Sequence, residues 1–215
     1  MSDNPGKLGV LISGSGTNLQ AILDNCASGK LNAEVSVVIS DKENAYGLER
    51  ARNSGVETRH IPWRKKDKEG WESDAVRELK KYNVDLVCLA GFMRIVGTTL
   101  LEAFPGRILN IHPALLPSFP GLHGQKQAFD WGVKITGCTV HFVTPDLDMG
   151  PVIVQKAVRV LEDDTEDTLA ARILEQEHIA YSEAINLVLS NRVQIAGRRV
   201  KILSAGDLSD HDPTE

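Results

Sequence analysis

Cysteine, aromatic residues and long apolar runs are all scarce in this chain. The three cysteines among its 215 residues, Cys26, Cys88 and Cys138, lie far apart and form no Cys-x-x-Cys pair. This spacing argues against a zinc site or a dithiol redox motif and fits a reducing compartment, so we expect a cytoplasmic protein. The first apolar run ends at Ile12, and no later run approaches the roughly 18 residues of a membrane span. We therefore expect neither export nor membrane insertion.

A surplus of positive charge is also missing. Lys and Arg number 24 against 29 Asp and Glu, which gives a formal charge of −5. A nucleic-acid binder is therefore disfavoured, because phosphate backbones are bound through a positive field. The basic run at residues 63–68 contains Asp67 and precedes Glu69. We interpret this run as a solvated loop or as a contact for a small anionic tail.

The sequence does have the composition and periodicity of an α/β domain. Apolar residues make up 42% of the chain and charged residues 25%, close to globular averages. Short apolar runs alternate with helical stripes, which predicts an open, mostly parallel twisted sheet with helices on both faces, a Rossmann-like arrangement. The predicted strands are residues 8–12, 35–39, 58–61, 85–90 and 107–112, and the predicted helices include residues 19–26, 45–53 and 71–82.

The second half of the chain changes pattern. Residues 136–144 and 152–160 read as two longer strands, which we expect to be antiparallel. Residues 165–189 form one long amphipathic stripe behind a group of capping and acidic residues, which predicts a helix. We treat residues 1–205 as a single domain. Residues 206–215 are too polar to hold a fold, and we expect them to form a flexible acidic tail.

A Ser/Gly-rich loop joins the first strand to the first helix. Its residues, 13–18, read Ser-Gly-Ser-Gly-Thr-Asn, and free N–H groups at a helix start can hold an anion there. No Gly-Lys-Ser/Thr closes the loop, and Leu19 stands where a dinucleotide motif has its third glycine. We interpret the loop as a phosphate cradle, while a tight turn without a ligand would have the same composition.

Asn110 and His112 end a predicted strand two residues apart, so their side chains point to the same side. An amide can donate to a developing oxyanion, and a histidine can carry a proton near neutral pH. Asp148, in a later turn, would raise the pKa of His112 if the fold brought the two together. We then expect a rate-controlling group that titrates near or above neutral. A capped turn with a structural histidine is the alternative, and we interpret His60, His141 and His178 as structural.

Four segments together resemble a known family. They are residues 12–20, residues 89–94, LNIHPALLPSFPGLHG at 109–124 and GCTVHFVTPDLDMGPVI at 137–153. They closely resemble the folate-dependent formyltransferases, over about residues 8–199. The Gly-Ser-Gly-Thr-Asn loop and the Pro-Gly-Leu-His segment resemble the branch that acts on glycinamide ribonucleotide in purine synthesis.

The resemblance implies transfer of a formyl group from the co-substrate 10-formyltetrahydrofolate to the amine of 5′-phosphoribosylglycinamide, chemistry that requires no metal. Asn110, His112 and Asp148 match the family's catalytic positions. The matching substrate-binding positions are Ser15, Gly16, Thr17, Asn18, His123 and Glu177. The matching folate-binding positions are Lys68, Met93, Arg94, Ile95, Val96, Asn110, Val143 and Asp146.

The resemblance leaves some choices open. Lys68 stands where relatives often carry an arginine for the folate's glutamate tail, so the contact falls to Lys68 or to Arg64, Lys65 or Lys66. A tRNA-formylating relative would add a C-terminal domain, and a formyltetrahydrofolate hydrolase would add an N-terminal one. A phosphate-sensing module would need only the Ser/Gly-rich loop and would leave Asn110, His112 and Asp148 without a joint purpose. We expect small-molecule partners only, no nucleic acid or membrane, and an oligomeric state that is open, with a homodimer as one arrangement.

Overall fold

The computed structural model describes residues 4–64 and 67–204. The strands are β1 (Gly6–Ile12), β2 (Ala33–Ser40), β3 (Glu57–His60), β4 (Leu86–Leu89), β5 (Ile108–His112), β6 (Ile135–Phe142), β7 (Val152–Arg159), β8 (Val193–Ala196) and β9 (Arg199–Ile202). The helices are α1 (Thr17–Ala27), α2 (Tyr46–Asn53), α3 (Lys68–Lys81), α4 (Thr98–Ala103), α5 (Gly124–Trp131) and α6 (Glu166–Leu189).

Seven strands form one sheet in the order β3-β2-β1-β4-β5-β6-β7. The strands from β3 to β5 pair in parallel, whereas β6 pairs antiparallel with both β5 and β7. The predicted fold class is therefore confirmed, including the change of strand direction in the second half. The chain order reverses between β1 and β4, and such a switch point leaves a crevice at the carboxyl ends of the strands.

Two apolar clusters cover the two faces of the sheet. Residues of α1, α2 and α6 pack with Leu8 and Val10 on one face, and residues of α3 and α4 pack with Leu11 on the other. Side chains alternate between faces along a strand, so a strand covered on both sides is apolar throughout. The buried Tyr181 hydroxyl in α6 donates to the carbonyls of Leu89 and Leu109 at 3.0 and 3.1 Å. This contact fixes α6 across β4 and β5, beside the predicted site.

Some elements were absent from the sequence-based prediction. Helix α4 has six residues and α5 eight, too few for a clear helical stripe. The β8–β9 hairpin turns at Gly197, with φ +60°, and its side chains are mostly exposed, so its strands lack an alternating pattern. Helix α6 is capped by a reciprocal pair, Thr165 and Thr168, whereas Asp164 pairs with Arg172 at 2.7 Å. The predicted tail at 206–215 lies outside the described residues.

Candidate active site

The neighbouring strands β5 and β6 carry the central side chains of the site. Across this antiparallel pair Asn110 stands opposite His141, and His112 stands opposite Thr139. These four side chains share one face of the sheet because residues two apart along a strand point the same way. The face is covered by the loops that follow β5 and β6.

Asp148 reaches this face from the turn between β6 and β7. The turn lies so close to β6 that a Cβ at Gly150 would be 1.7 Å from the Phe142 carbonyl oxygen. Asp148 itself has a φ of +53°, a left-handed conformation that aspartate tolerates better than most residues. Its Oδ2 lies 3.5 Å from His112 Nδ1, and both side chains are buried. The structure therefore brings Asn110, His112 and Asp148 to one place.

The loop after β5 contacts both members of the His112–Asp148 pair. His112 Nε2 lies 2.8 Å from the Phe119 carbonyl oxygen, and the Gly121 N–H donates to Asp148 Oδ2 at 2.8 Å. A carbonyl only accepts, so Nε2 carries a proton. The 3.5 Å between His112 Nδ1 and Asp148 is long for a hydrogen bond. This arrangement fits a neutral His112 in the resting protein.

Burial controls the charge of His112. Burial lowers the pKa of His112, and the attraction of Asp148 and the hydrogen bond to Phe119, which raise it, do not compensate. The net pKa of His112 is therefore below its ordinary value of about 6.5. The expectation of a raised pKa is wrong, because the sequence does not reveal that His112 is only 3% exposed.

Burial acts in the opposite direction on the pKa of Asp148, because it disfavours the charged form of each group. Burial raises the pKa of Asp148, but the neighbouring His141 ring, the hydrogen bond from the Gly121 N–H and the neighbouring His112 ring together outweigh burial. The net pKa of Asp148 is below its ordinary value. The carboxylate is therefore an anion at neutral pH, beside a histidine that is neutral until a proton arrives.

His141 belongs to this cluster, which our interpretation of it as a structural residue missed. The side chain is 2% exposed. Its Nε2 lies 3.2 Å from Asn110 Nδ2 and 3.7 Å from Asp148 Oδ1. The alternation Thr139, His141 in the strand before Asp148 was the sequence signal available for it.

The Ser/Gly loop packs on the start of α2. Gly16 has a φ of +71°, and a Cβ there would lie 2.7 Å from the Gly47 Cα. The Gly47 N–H donates to the Gly14 carbonyl at 3.1 Å, and Arg50 Nε donates to the Ser15 carbonyl at 2.8 Å. Gly16 is thus required by a neighbouring backbone as well as by its own conformation. The loop places Thr17 and Asn18 in the first turn of α1.

Replacing Gly16 by alanine is expected to lower the free energy of unfolding by at least about 2 kcal/mol, because left-handed strain and overpacking add. Gly14 is the matched control, since a Cβ there meets nothing within 4 Å and its alanine variant should change stability by about 0.5 kcal/mol or less. Urea denaturation of both variants measures the difference. Equal stabilities would contradict the close Gly16–Gly47 contact.

Asn18 and Glu177 form a buried pair between α1 and α6. Asn18 Nδ2 donates to Glu177 Oε2 at 2.7 Å, while Asn18 Oδ1 is buried without a hydrogen-bond partner. Burial raises the pKa of Glu177, although the hydrogen bond from Asn18 opposes it. Buried polar atoms normally have partners. The free oxygen of Asn18 can therefore accept a hydrogen bond from a ligand at the start of α1.

A cleft of about 600 Å³ adjoins the Ser/Gly loop. One wall is residues 13–15 and the other is residues 42–46, between β2 and α2. Lys42 is exposed on this wall, beside the predicted phosphate cradle. Residues 42–46 carry no recognisable motif, so the sequence does not mark them as part of a site.

The predicted folate segment follows β4. The Met93 N–H donates to Ser13 Oγ at 2.9 Å, which ties this segment to the Ser/Gly loop across the switch point. Met93 and Ile95 are 57% and 58% exposed, whereas Val96 is buried. Leu147, in the turn that carries Asp148, is also exposed. Exposed apolar side chains at the rim of a crevice are typical of a ligand site.

The side chain of Arg94 is held by other protein groups. Its Nε donates to the buried Asp41 at 2.7 Å, and its guanidinium lies over the Trp63 ring at 5.0 Å. The contact with Asp41 uses Nε alone, and the side chain is 34% exposed, so the terminal amino groups and the backbone of Arg94 are both left for a ligand. Asp41 has no sequence motif that would identify it.

The cations proposed for the folate tail have different surroundings. Lys68 Nζ lies 3.9 Å from Glu72 Oε1, and Arg64 pairs with Asp74 at 3.1 Å. Lys65 and Lys66 lie outside the described residues.

The remaining predicted positions lie in the loops around Asn110, His112 and Asp148. The Val143 N–H donates to the Ile108 carbonyl at 2.9 Å. Asp146 and His123 are exposed, and His123 immediately precedes α5 with a φ of +60°.

Neither a cluster of metal-ligating side chains nor a membrane-spanning helix occurs among the described residues. Within residues 4–64 and 67–204, no three His, Cys, Asp or Glu side chains are grouped as a metal ion would need. No helix in those same ranges combines the length and hydropathy of a membrane span.

Comparisons with known proteins agree on one family. Residues 6–185 match the family described as formyl transferase. The chain is 44% identical to the phosphoribosylglycinamide formyltransferase of Escherichia coli (strain K12), over 86% of this chain and 88% of that protein. It resembles the crystal structure of glycinamide ribonucleotide transformylase 1 from Symbiobacterium toebii, with a TM-score of 0.90 and 54% identity, over 94% of this chain and 96% of that one. A formyltetrahydrofolate deformylase from Pseudomonas syringae pv. tomato has a TM-score of 0.87 at 27% identity, over 94% of this chain and 67% of that one.

Proposed function

The chain belongs to the formyl transferase family, and from this premise we propose that it is a phosphoribosylglycinamide formyltransferase. It transfers a formyl group to the amine of 5′-phosphoribosylglycinamide in purine biosynthesis. The observation that carries the proposal is the convergence of Asn110, His112 and Asp148 at the carboxyl end of β5. The formyl donor is 10-formyltetrahydrofolate.

The three side chains supply the chemistry that formyl transfer needs. Attack of the amine on the formyl carbon creates a tetrahedral species with negative charge on oxygen, which the Asn110 amide stabilises as a donor. A neutral His112 takes up on Nδ1 the proton that the amine sheds, and the resulting imidazolium stabilises the oxyanion by its charge. When the tetrahedral species collapses, the bond between the formyl carbon and the folate nitrogen breaks, and His112 returns the proton to that nitrogen. The Asp148 anion stabilises the imidazolium that forms, and it helps to remove the amine's proton, directly or through water.

The ribonucleotide binds at the start of α1. The N–H groups of Gly16, Thr17 and Asn18 hold its phosphate, because a helix start attracts an anion. Ser15 and His123 complete the contacts. The Glu177 carboxylate accepts hydrogen bonds from the sugar hydroxyls, and the unpartnered Asn18 Oδ1 accepts a third.

The folate binds along the crevice at the carboxyl ends of β1, β4 and β5. Its pterin lies against Met93, Ile95 and Val143, with backbone groups of the segment after β4 reading its polar edge. Asn110 lies between the folate and the ribonucleotide. Val96 supports this wall from the core, Asp146 lies on the turn above, and Lys68 meets the glutamate tail. No step of this chemistry needs a metal.

Residues 1–205 act as one domain, since one sheet carries both apolar clusters. Three unpaired cysteines suit a cytoplasmic enzyme. Its partners are the two small-molecule substrates.

The test is donor consumption measured by absorbance, with a 10-formylfolate donor and with or without 5′-phosphoribosylglycinamide. We expect donor loss only when the ribonucleotide is present. Donor loss without it would instead identify a hydrolase, the activity named for the Pseudomonas syringae neighbour. No loss in either case would contradict both activities.

Replacing Glu177 by glutamine is expected to raise the KM for the ribonucleotide about tenfold or more, because hydrogen bonds to a charged acceptor contribute about 1.5–3 kcal/mol. The kcat and the KM for the folate should change little. Glu175→Gln, two residues earlier on α6 and exposed, is the control. Steady-state kinetics at saturating donor gives the comparison. An unchanged KM for the ribonucleotide would remove Glu177 from the sugar site.

A further inference from the structure

The buried imidazole of His141 has one defined tautomer. Its Nδ1 lies 2.9 Å from the Phe142 carbonyl oxygen, an atom that only accepts, so Nδ1 carries the proton. In the neutral ring Nε2 then has a lone pair and acts as an acceptor. Asn110 Nδ2 is 3.2 Å from this nitrogen, whereas Asp148 Oδ1, at 3.7 Å, is outside hydrogen-bond distance.

This tautomer determines which way the Asn110 amide points. An amide has two chemically different ends, an NH₂ donor and an oxygen acceptor, and rotation by half a turn exchanges them. The His141 lone pair accepts one N–H of Asn110 and leaves the second proton of the same nitrogen to the site. Without that acceptor the amide oxygen can turn toward a developing oxyanion, which it would repel.

We propose that His141 is a positioning residue for formyl transfer, which acts by holding the Asn110 amide with its N–H toward the formyl oxygen. The inference rests on the proposed function and adds a fourth side chain to its site. His141 and Asn110 are direct neighbours across β5 and β6, so no intervening group is needed to transmit the effect.

Two matched variants test the proposal. His141→Asn can keep the donor to Phe142 but has no atom near the Nε2 position, whereas His141→Gln can place an acceptor there. We expect His141→Asn to lower kcat about 30-fold, with both KM values within about threefold, because removing one preorganised donor typically costs 10²–10³ and this change only misorients it. His141→Gln should recover most of the loss.

A double-mutant cycle separates positioning from packing. If His141 acts through Asn110, His141→Asn should cost less than about twofold in an Asn110→Ala background. Equal losses in His141→Asn and His141→Gln, or a full loss in the Asn110→Ala background, would overturn the proposal. Thermal unfolding of each variant verifies that the fold is retained.

Hydrogen exchange of the Asn110 side-chain amide tests the role of His141 without turnover, and therefore independently of the proposed function. In protein labelled with ¹⁵N at asparagine, one Nδ2 proton of Asn110 should exchange with solvent at least about tenfold more slowly than the other, because it is hydrogen-bonded. His141→Asn should remove the difference and His141→Gln should keep it. Equal exchange in the wild type would refute the inference even if formyl transfer is observed, and unequal exchange without transfer would refute only the proposed function.

Discussion

Alanine at position 112 is expected to lower kcat for formyl transfer by about 10³-fold, because His112 both accepts a proton and then stabilises the oxyanion. The KM values should change by less than about threefold, since a buried side chain held by Asp148 and the Phe119 carbonyl makes its main contribution in the transition state. Steady-state kinetics with the folate donor and the ribonucleotide measures both.

His60→Ala is the matched control for this variant. His60 ends β3 and is exposed, away from the β5–β6 site, so its replacement should leave kcat within about twofold. Substantial turnover in His112→Ala would show that another group carries the proton. Retained ribonucleotide binding together with lost turnover would exclude a purely phosphate-sensing role for the chain.

Asparagine at position 148 is expected to lower kcat about 10²-fold and to shift the pKa of His112 further down. Burial already lowers the pKa of His112, and the Asp148 charge is the principal influence that opposes burial. Removing this charge therefore destabilises the imidazolium relative to the neutral ring. We therefore expect the pKa of His112 to fall in Asp148→Asn.

An NMR titration of the His112 ring measures this shift directly. The wild-type pKa should lie below about 6.5, and the value in Asp148→Asn should lie lower still. In the pH profile of kcat/KM, the limb that reports the titration of His112 should move to lower pH in the same variant. The limb that reports the titration of the substrate amine should not move. Asp146→Asn, at an exposed position in the same turn, should leave the His112 titration unchanged. A His112 pKa that is unaffected by Asp148→Asn would remove Asp148 from this role.

Local sequence patterns were sufficient for most of the fold. The apolar runs at β1 and β4 and the stripe along α6 predicted their elements to within a few residues, because burial on two faces or on one helical side leaves a periodic signature. The short α4 and the exposed β8–β9 hairpin have no such signature, and tertiary contacts decide them.

In the candidate site, too, the sequence predicts some features and the tertiary structure decides the others. The types and strand positions of Asn110 and His112 were readable from the sequence, since residues two apart on a strand share a face. Their distance to Asp148, the lowered pKa of His112 and the participation of His141 were not. Each depends on which loops pack over the end of β5 and on how far they exclude water.

The sequence by itself determined the class of the fold, the order of its strands along the chain and the identity of the polar groups at their ends. Only the tertiary structure decided the strand order within the sheet, the packing of Gly16 against Gly47, and the pairing of Arg94 with Asp41. The physical reason is that hydrophobic periodicity is a local property of the chain. Burial and hydrogen-bond partners depend on residues that are distant in sequence and meet only when the chain folds.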